Sequence, residues 1–176
     1  TPASLTDDEP SIIEVNGQQW EPKNYDEYDG EITWRRALAM SRNLGTIHVG
    51  ATIGFDKVAE VWKRVGVGTP PQGYPAITLG VFELTPLEVA EAYTVFTNAG
   101  EVHPLKSIDA IDAGERRLMA KTLPLRHVAR PDTTYLVTNM MRSVLNEGTG
   151  AGARAAGFTL DAAGKSGTTN DLRDAW

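Results

Sequence analysis

The 176-residue sequence predicts an α+β fold that is mostly helical, with the start of a strand near the C-terminus. Apolar residues recur at helical spacing in four segments, near 33–41, 55–65, 86–98 and 134–147. Short β-prone runs separated by turn formers occupy the first thirty residues. The segment from Phe158 to Thr169 lacks helical periodicity and ends in small and β-branched residues, which indicates a loop that enters a strand.

The N-terminal part carries the local signals of a hairpin followed by a helix. Residues 10–15 are rich in β-branched side chains, and the Asn16-Gly17 dipeptide that follows them is typical of a two-residue hairpin turn. Threonine is a favoured N-cap residue, so we expect a helix to begin at Thr33 as its N-cap and to end near Ser41. Ser41 to Asn43 is therefore expected at a helix end or in a tight loop.

Glycine, proline and capping residues set the bounds of the other helices. Gly66 and Gly68 are expected to end the helix that begins at Phe55. The segment Thr85-Pro86-Leu87-Glu88 combines a capping box with proline at the first helical position, and so predicts a helix start. Residues 101–131 are expected to be irregular or β-like, and the long helix after them is expected to end at Gly148.

Composition limits the class of protein. A chain of this length with 41% hydrophobic residues is long enough for one core, so we expect a single domain over residues 1–176. The net charge is −6, and nine acidic residues lie within residues 1–31 beside a single lysine. The remainder is nearly balanced and presents no broad basic face, so we do not expect nucleic acid as a partner.

Cysteine is absent, which is compatible with an extracytoplasmic protein, although many cytosolic proteins also lack it. No apolar run approaches the ~18 residues that cross a bilayer, so we expect any membrane anchor to lie outside these residues. His48, His103 and His127 have no ligand-like spacing, and we therefore expect neither a metal nor another cofactor.

Two short motifs carry candidate chemistry, Ser41-Arg42-Asn43 and Lys165-Ser166-Gly167. Each has an ordinary structural interpretation when it is taken alone. Serine and asparagine are favoured at helix ends and turns, and a lone lysine next to glycines is most often a solvated strand residue. Their order and separation, together with the segments between them, favour a shared function.

These segments resemble the transpeptidase domain of class A penicillin-binding proteins, the bifunctional enzymes of peptidoglycan assembly. The similarity extends over most of the chain. The matching segments are Trp20-x-Pro22-x-Asn24-Tyr25 with Gly30, Ile32-Thr33-x-Arg35-x-Ala37-Leu38-x-x-Ser41-x-Asn43, Thr78-Leu79-Gly80, Leu84-Thr85-Pro86-Leu87-Glu88, Ala92-Tyr93-x-x-Phe96-x-Asn98-x-Gly100, Gly148-Thr149-Gly150 and Gly164-Lys165-Ser166-Gly167-Thr168-Thr169-Asn170. The resemblance implies part of a penicillin-binding/β-lactamase-like serine transpeptidase fold.

The resemblance also implies a role for each motif residue. Ser41 would relay a proton toward the leaving amine, and the Asn43 amide would hold the backbone of the substrate peptide. Lys165 would place positive charge near the terminal carboxylate of the substrate. The Ser166 and Thr168 hydroxyls would bind that carboxylate. Serine stands at position 166 where the family more often has threonine, and either residue supplies a hydroxyl.

Gly167 and Thr168 would have further roles by the same resemblance. Gly167 would leave room where the substrate lies against the strand, and the Thr168 N–H would be one donor of the oxyanion hole. The implied substrates are the D-Ala-D-Ala end of peptidoglycan stem peptides and β-lactams. The implied location is extracytoplasmic, with anchoring by a segment outside this chain.

The third motif of the family, Ser-x-x-Lys, is absent because no serine in the sequence has a lysine three places on. That motif holds the nucleophile, which a neighbouring base activates. We therefore expect a partial transpeptidase domain that lacks the nucleophile helix and the final strands and is inactive alone. Two alternatives are a related serine D,D-carboxypeptidase or β-lactamase-type hydrolase and a non-catalytic scaffold module of the same fold.

The missing strands lead to an expectation about assembly. If residues 165–169 belong to a sheet whose other strands lie elsewhere, their backbone groups must bond to solvent or to another chain. We therefore expect the helices to carry the fold and the segment from Phe158 to Trp176 to be poorly anchored. Pairing of this segment with another molecule would make a homo-oligomer.

Overall fold

The computed structural model describes residues 1–120, 123–169 and 174–176. The helices are α1 (Trp34–Ala39), α2 (Asn43–Ile53), α3 (Phe55–Val65), α4 (Pro86–Thr97), α5 (Pro131–Asn146) and α6 (Ala151–Ala155), with a 3₁₀ helix over Pro75–Leu79. The strands are β1 (Leu5–Asp8), β2 (Ile13–Val15), β3 (Gln18–Trp20), β4 (Gly30–Thr33), β5 (Glu101–Val102), β6 (Ala110–Ala113), β7 (Arg116–Ala120) and β8 (Arg126–His127). None of the helices in these ranges combines the length and apolarity needed to cross a bilayer.

The strands of the described residues form antiparallel pairs rather than one large sheet. β2 pairs with β3 across Asn16 and Gly17, whose φ angles of 52° and 76° are those of a tight hairpin turn, as predicted. β1 pairs with β4, placing Thr6 opposite Ile32, and this pair was not predicted. β5 pairs with β8, and β6 pairs with β7. The expectation of β-like structure between residues 101 and 131 is confirmed.

Three helices begin or end where their capping residues predicted. The Thr33 hydroxyl accepts the Arg36 N–H at 3.2 Å and starts α1. The Thr85 hydroxyl accepts the Glu88 N–H at 3.3 Å, while the Glu88 carboxylate accepts the Thr85 N–H at 2.7 Å, and this capping box starts α4. α3 ends at Gly66, which adopts the left-handed conformation. The fourth predicted helix, α5, starts three residues early because Pro131 occupies its first turn.

Helix α2 was not predicted by the sequence pattern. Its buried residues are Leu44, Gly45, Ile47 and Gly50, which do not form a single apolar stripe. Close packing explains the glycines: a Cβ at Gly50 would lie 2.2 Å from Thr78 Cγ2, and one at Gly45 would lie 3.2 Å from Ala37 Cβ. A helix enclosed by neighbours on several sides lacks the amphipathic pattern on which helix prediction depends.

Two groups of buried residues hold the elements together. One consists of Val65, Val67, Ala92, Val95, Val102 and Val128 with Trp62 and Phe96 packed against it, and it joins α3, α4 and the β5–β8 pair. The other lies where α1 packs against α2 and α5 and where α2 packs against β1, and it includes the fully buried Leu44, Ile47 and Val144. The short link between α1 and α2, which contains Ser41, lies beside this second group.

The C-terminal segment differs from the expectation. Within the described residues, the predicted strand at 165–169 is reduced to one antiparallel bridge between Thr168 and Ala175. Gly167 and Trp176 exchange two backbone hydrogen bonds of 3.1 and 2.9 Å, and the Thr169 N–H donates to the Asp174 carbonyl at 3.0 Å. The expectation that this backbone must pair with solvent or another molecule is therefore wrong for these groups. Asn170 of the matched motif lies outside the described residues.

Candidate active site

The fold brings the two motifs together, although Ser41 and Lys165 are 124 positions apart. Lys165 Nζ donates to Ser41 Oγ at 2.7 Å and to the backbone carbonyl of its neighbour Ser166 at 2.7 Å. Ser41 directly follows the last turn of α1 and has a φ of 56°, which is uncommon for a residue other than glycine. The local backbone strain is therefore located at the residue whose hydroxyl contacts the lysine.

Lys165 is a partly buried cation. Burial lowers the pKa of its ammonium group below the usual value, because removal from water disfavours the charged form. Among the residues that the structure describes, its hydrogen-bond partners are a hydroxyl and a carbonyl, and none is a carboxylate. A cation in this setting favours the binding of an anionic group from outside the chain.

Arg42, the middle residue of the Ser41 motif, anchors the link between α1 and α2. Its side chain is almost fully buried and forms ion pairs with Asp26 and with Asp29, the latter at 3.1 Å from Nε to Oδ2. Burial acts to lower the pKa of Arg42, but hydrogen bonds with Asp29 and Asp26 outweigh it and raise the pKa. Burial likewise acts to raise the pKa of Asp29, but hydrogen bonds from Arg42 and Arg36 outweigh it and lower the pKa.

The start of α2 is capped by residues that lie far away in the sequence. Asn24 Oδ1 accepts the N–H groups of Asn43 at 2.9 Å and Leu44 at 3.3 Å. Asp8 Oδ1 accepts the Gly45 N–H at 3.1 Å, and Asp8 Oδ2 accepts a hydrogen bond of 2.9 Å from Asn24 Nδ2. These bonds satisfy three of the four N–H groups that a helix start leaves unpaired. They hold the backbone of the Ser41–Asn43 turn from outside the helix.

The side chain of Asn43 has a structural contact in addition to its predicted role. Its Nδ2 donates to the Lys23 carbonyl at 2.7 Å, which fixes the plane of the amide. An asparagine amide has two N–H donors and one carbonyl acceptor. This contact uses one of the donors, so the predicted bond to a substrate backbone must use the second donor or the carbonyl oxygen.

Ser166 contacts a residue whose role sequence reasoning missed. Ser166 Oγ lies 2.6 Å from Thr149 Oγ1, and the Thr149 N–H donates to the Ala39 carbonyl at 3.1 Å. Gly148 makes this possible because a Cβ there would lie 2.1 Å from the Ala39 oxygen. The only sequence signal for a role of Thr149 was the Gly148-Thr149-Gly150 tripeptide. This tripeptide resembles the family pattern but does not indicate which residue Thr149 contacts.

Gly167 and Thr168 lie on a short extended segment. Gly167 and Thr169 direct their N–H groups toward Trp176 and Asp174. Because alternate residues of an extended chain point their backbone groups to opposite edges, the Thr168 N–H faces the other edge. Among the described atoms, a Cβ added at Gly167 would have only Trp176 Cβ within 4 Å, at 3.8 Å, so neither packing nor φ in that part of the chain requires this glycine.

The groups collected here suit an organic anion. Lys165 supplies positive charge, the Ser166 hydroxyl that follows it in the chain pairs with the Thr149 hydroxyl, and Ser41 Oγ can exchange a proton with the ammonium group. Sets of three or more His, Cys, Asp or Glu residues placed to share a metal ion are not found in the described ranges. A cation beside hydroxyl groups can bind a carboxylate and transfer protons.

Comparison with known proteins gives a consistent match. Residues 1–174 match the family model described as the penicillin binding protein transpeptidase domain. The chain is 34% identical to penicillin-binding protein 1B of Vibrio cholerae over 178 residues, covering 99% of this chain and 23% of that protein. It is 41% identical to penicillin-binding protein 1A of Neisseria gonorrhoeae over 171 residues, covering 92% of this chain and 21% of that protein. The chain thus spans less than a quarter of the length of these relatives.

The fold is also similar to a solved structure. The crystal structure of penicillin-binding protein 1A from Haemophilus influenzae superimposes with a TM-score of 0.88 at 26% identity, covering 100% of this chain and 32% of that chain. A TM-score of this size over the whole chain means that the two chains share their fold. The similarity includes both motif segments, since it leaves no part of the chain uncovered.

Proposed function

The chain belongs to the transpeptidase domain family of class A penicillin-binding proteins, and we propose that it supplies the substrate-binding side of a serine D,D-transpeptidase. The reaction cross-links peptidoglycan stem peptides through a serine acyl-enzyme, and penicillin acylates the same serine. The observation that carries the proposal is the 2.7 Å contact between Lys165 Nζ and Ser41 Oγ. It unites the two family motifs of this chain in one site.

The nucleophile is the serine of a Ser-x-x-Lys motif in the longer protein to which this segment belongs. Ser41 and Lys165 form a proton path next to it. A hydroxyl that is hydrogen-bonded to an ammonium group can pass its own proton to a leaving amine and regain one from the lysine. Because the pKa of Lys165 is lowered, its ammonium group gives up a proton to Ser41 more readily than an ordinary lysine would.

The substrate carboxylate binds to Lys165, Ser166 and Thr168. A terminal carboxylate is the anionic group that the partly buried ammonium lacks within the described residues, and hydroxyl donors add short charge-assisted hydrogen bonds. Asn43 holds the substrate backbone with the part of its amide that Lys23 does not use. These assignments use a cation, two hydroxyls and an amide that two separate segments supply, residues 165–168 and the start of α2.

Gly167 and Thr168 serve the reacting carbonyl. The substrate lies along the edge of the extended segment where the Thr168 N–H points, and this N–H is one of the two oxyanion-hole donors. Gly167 has no side chain to obstruct a substrate that lies against this segment. The matching family model is described as a transpeptidase domain, which favours a transpeptidase over a hydrolase that delivers the acyl group to water. The site works outside the cytoplasm, where peptidoglycan lies.

Removal of the Lys165 charge tests the proposal. In the longer protein, Lys165→Ala should slow acylation by a labelled penicillin by about 100-fold or more, because the lost charge acts on the carboxylate and the transition state. Lys63→Ala is the matched control, since Lys63 lies on the exposed face of α3. Acylation of the Lys165→Ala variant at the rate of the parent would overturn the proposal.

A further inference from the structure

Three hydrogen bonds and the chain segments between them close a ring around the proposed carboxylate-binding end of the site. Lys165 contacts Ser41 through its side chain and is bonded in sequence to Ser166. Ser166 contacts Thr149 through the two hydroxyls, and the Thr149 backbone is held by the carbonyl of Ala39, two residues before Ser41. Thr149 therefore closes the ring, because it connects Ser166 to the end of α1, next to Ser41.

The backbone of this link cannot shift easily. The Gly150 N–H donates to the Val144 carbonyl at 2.9 Å, and the Gly148 N–H donates to the Ser143 carbonyl at 3.0 Å, so both flanking residues are bonded to the end of α5. With the Thr149 N–H bound to Ala39, three consecutive N–H groups are engaged. The Thr149 hydroxyl is thus held from a fixed backbone while remaining at the exposed surface.

The hydrogen bond between the Thr149 and Ser166 hydroxyls can run in either direction, and the direction determines which hydroxyl is free to donate to a ligand. Each hydroxyl has one proton to donate, and within a pair at 2.6 Å one oxygen donates and the other accepts. If Ser166 is to donate its proton to a carboxylate, its oxygen must accept the proton of Thr149. Hydrogen bonds arranged in such a chain polarise one another, so the second hydroxyl strengthens the first as a donor to an anion.

Other threonines of the chain show the contrast. Thr46 and Thr52 turn their hydroxyls back to the carbonyls of Arg42 and His48 in their own helix, at 2.7 and 2.9 Å. These bonds are local and point to no ligand. The Thr149 hydroxyl instead reaches a residue seventeen positions away, at the ligand-facing end of the site.

We propose that Thr149 is a positioning residue, which orients the Ser166 hydroxyl as a donor and so sets the preference of the site for substrates that end in a free carboxylate. This inference rests on the proposed function, in which Ser166 binds that carboxylate. No covalent step is added by it. Thr149 acts through Ser166, and its effect appears only for ligands that carry the terminal negative charge.

The test compares two acyl donors in the longer protein. One is a stem-peptide analogue that ends in D-Ala-D-Ala with a free carboxylate, and the other is the same peptide as its carboxamide. Thr149→Val removes the hydroxyl at nearly constant shape and should lower kcat/KM for the free acid by about tenfold, with less than about a twofold change for the carboxamide. Thr149→Ser keeps the hydroxyl and should restore the preference. Thr52→Val is the control threonine outside the site.

The Ser166→Ala variant distinguishes the inferred role of Thr149 from the proposed carboxylate-binding role of Ser166. Loss of carboxylate preference in Ser166→Ala but not in Thr149→Val would overturn the inference and leave the proposed function standing. Full preference in Ser166→Ala would overturn the carboxylate role that both require. An equal loss for both donors in Thr149→Val would mean that the residue is only structural, which also overturns the inference. The inference expects the double variant to be no worse than Ser166→Ala alone.

Discussion

At the residue scale, Ser41 combines an unusual backbone conformation with a side chain that we propose as a proton relay. Its φ of 56° lies in the left-handed region, where a Cβ costs about 1 kcal/mol or more relative to glycine. The turn into α2 and the contact with Lys165 keep the residue there. A residue chosen for backbone stability alone at this position would be glycine, which agrees with the proposed use of the serine hydroxyl.

Two substitutions at Ser41 should separate stability from activity. Ser41→Gly relieves the backbone strain and Ser41→Ala keeps it, so we expect the glycine variant to be more stable by about 1 kcal/mol. Both variants lose the hydroxyl and should lose penicillin acylation in the longer protein to a similar extent. Urea unfolding of the two purified variants measures the first effect. Equal stability would show that the left-handed turn is not strained in solution.

A second residue-scale prediction concerns pH. Because burial lowers the pKa of Lys165, a rate that depends on its positive charge should fall as pH rises through a value below 10.5. Lys165→Arg keeps the charge far above that pH, so its acylation rate should not show this fall, whatever its absolute value. The measurement is the acylation rate of the longer protein between about pH 7 and 10.5. A fall of the same shape in the arginine variant would assign the titration to another group, and Lys63→Arg should leave the profile unchanged.

The sequence identified part of this residue-level picture. Ser41, Asn43 and Lys165 could be named because their motifs are short and local. Thr149 and Asn24 could not be assigned their contacts, because each acts on a residue 17 to 20 positions away and only the folded chain defines the pair. Motif spacing carries no information about such partners.

At the scale of elements, α2 is the helix that the site depends on most. Its start presents the Asn43 side chain, and its cap comes from Asn24 and Asp8 rather than from the residue before it. Helices α1, α3 and α4 could be predicted because their capping residues lie next to the helix ends in the sequence. α2 could not, since its cap is remote and its buried faces are not confined to one stripe.

Removal of the remote cap should destabilise the protein. Asn24→Ala leaves the N–H groups of Asn43 and Leu44 without their acceptor and should lower the free energy of unfolding by about 2 kcal/mol. Gln19→Ala removes an amide from an exposed position of β3 and should change it by less than about 0.5 kcal/mol. Urea unfolding of both variants gives the comparison. Equal small effects would mean that water replaces the cap without cost.

At the scale of the whole molecule, the C-terminal segment is held within the chain. The amides of Gly167, Thr169 and Trp176 should exchange with solvent more slowly than in an unstructured peptide, because each donates to a backbone carbonyl. Hydrogen exchange on a sample shown to be monomeric tests this expectation. Protection that appears only as the protein concentration rises would instead support pairing between molecules.

The chain as a whole should be unable to form an acyl-enzyme. No serine in it is followed three places on by the lysine that the family uses as the activating base, and under the proposed function Ser41 has the role of a proton relay rather than of the nucleophile. Intact-mass measurement after incubation with a labelled penicillin should therefore show no adduct. A stoichiometric increase in mass would place a nucleophile among these 176 residues.

The burial of Arg42 has an evolutionary consequence. The position between the serine and asparagine is usually written as any residue, yet here three carboxylates of the acidic N-terminal region, Asp8, Asp26 and Asp29, converge on it. A lineage that lost the arginine would leave the fully buried Asp8 carboxylate without this cation, whereas Asp29 would still pair with Arg36 and Asp26 is exposed. Substitutions at position 42 should therefore be accompanied by substitutions at position 8, and an alignment of descendants would record these two columns as one inherited unit.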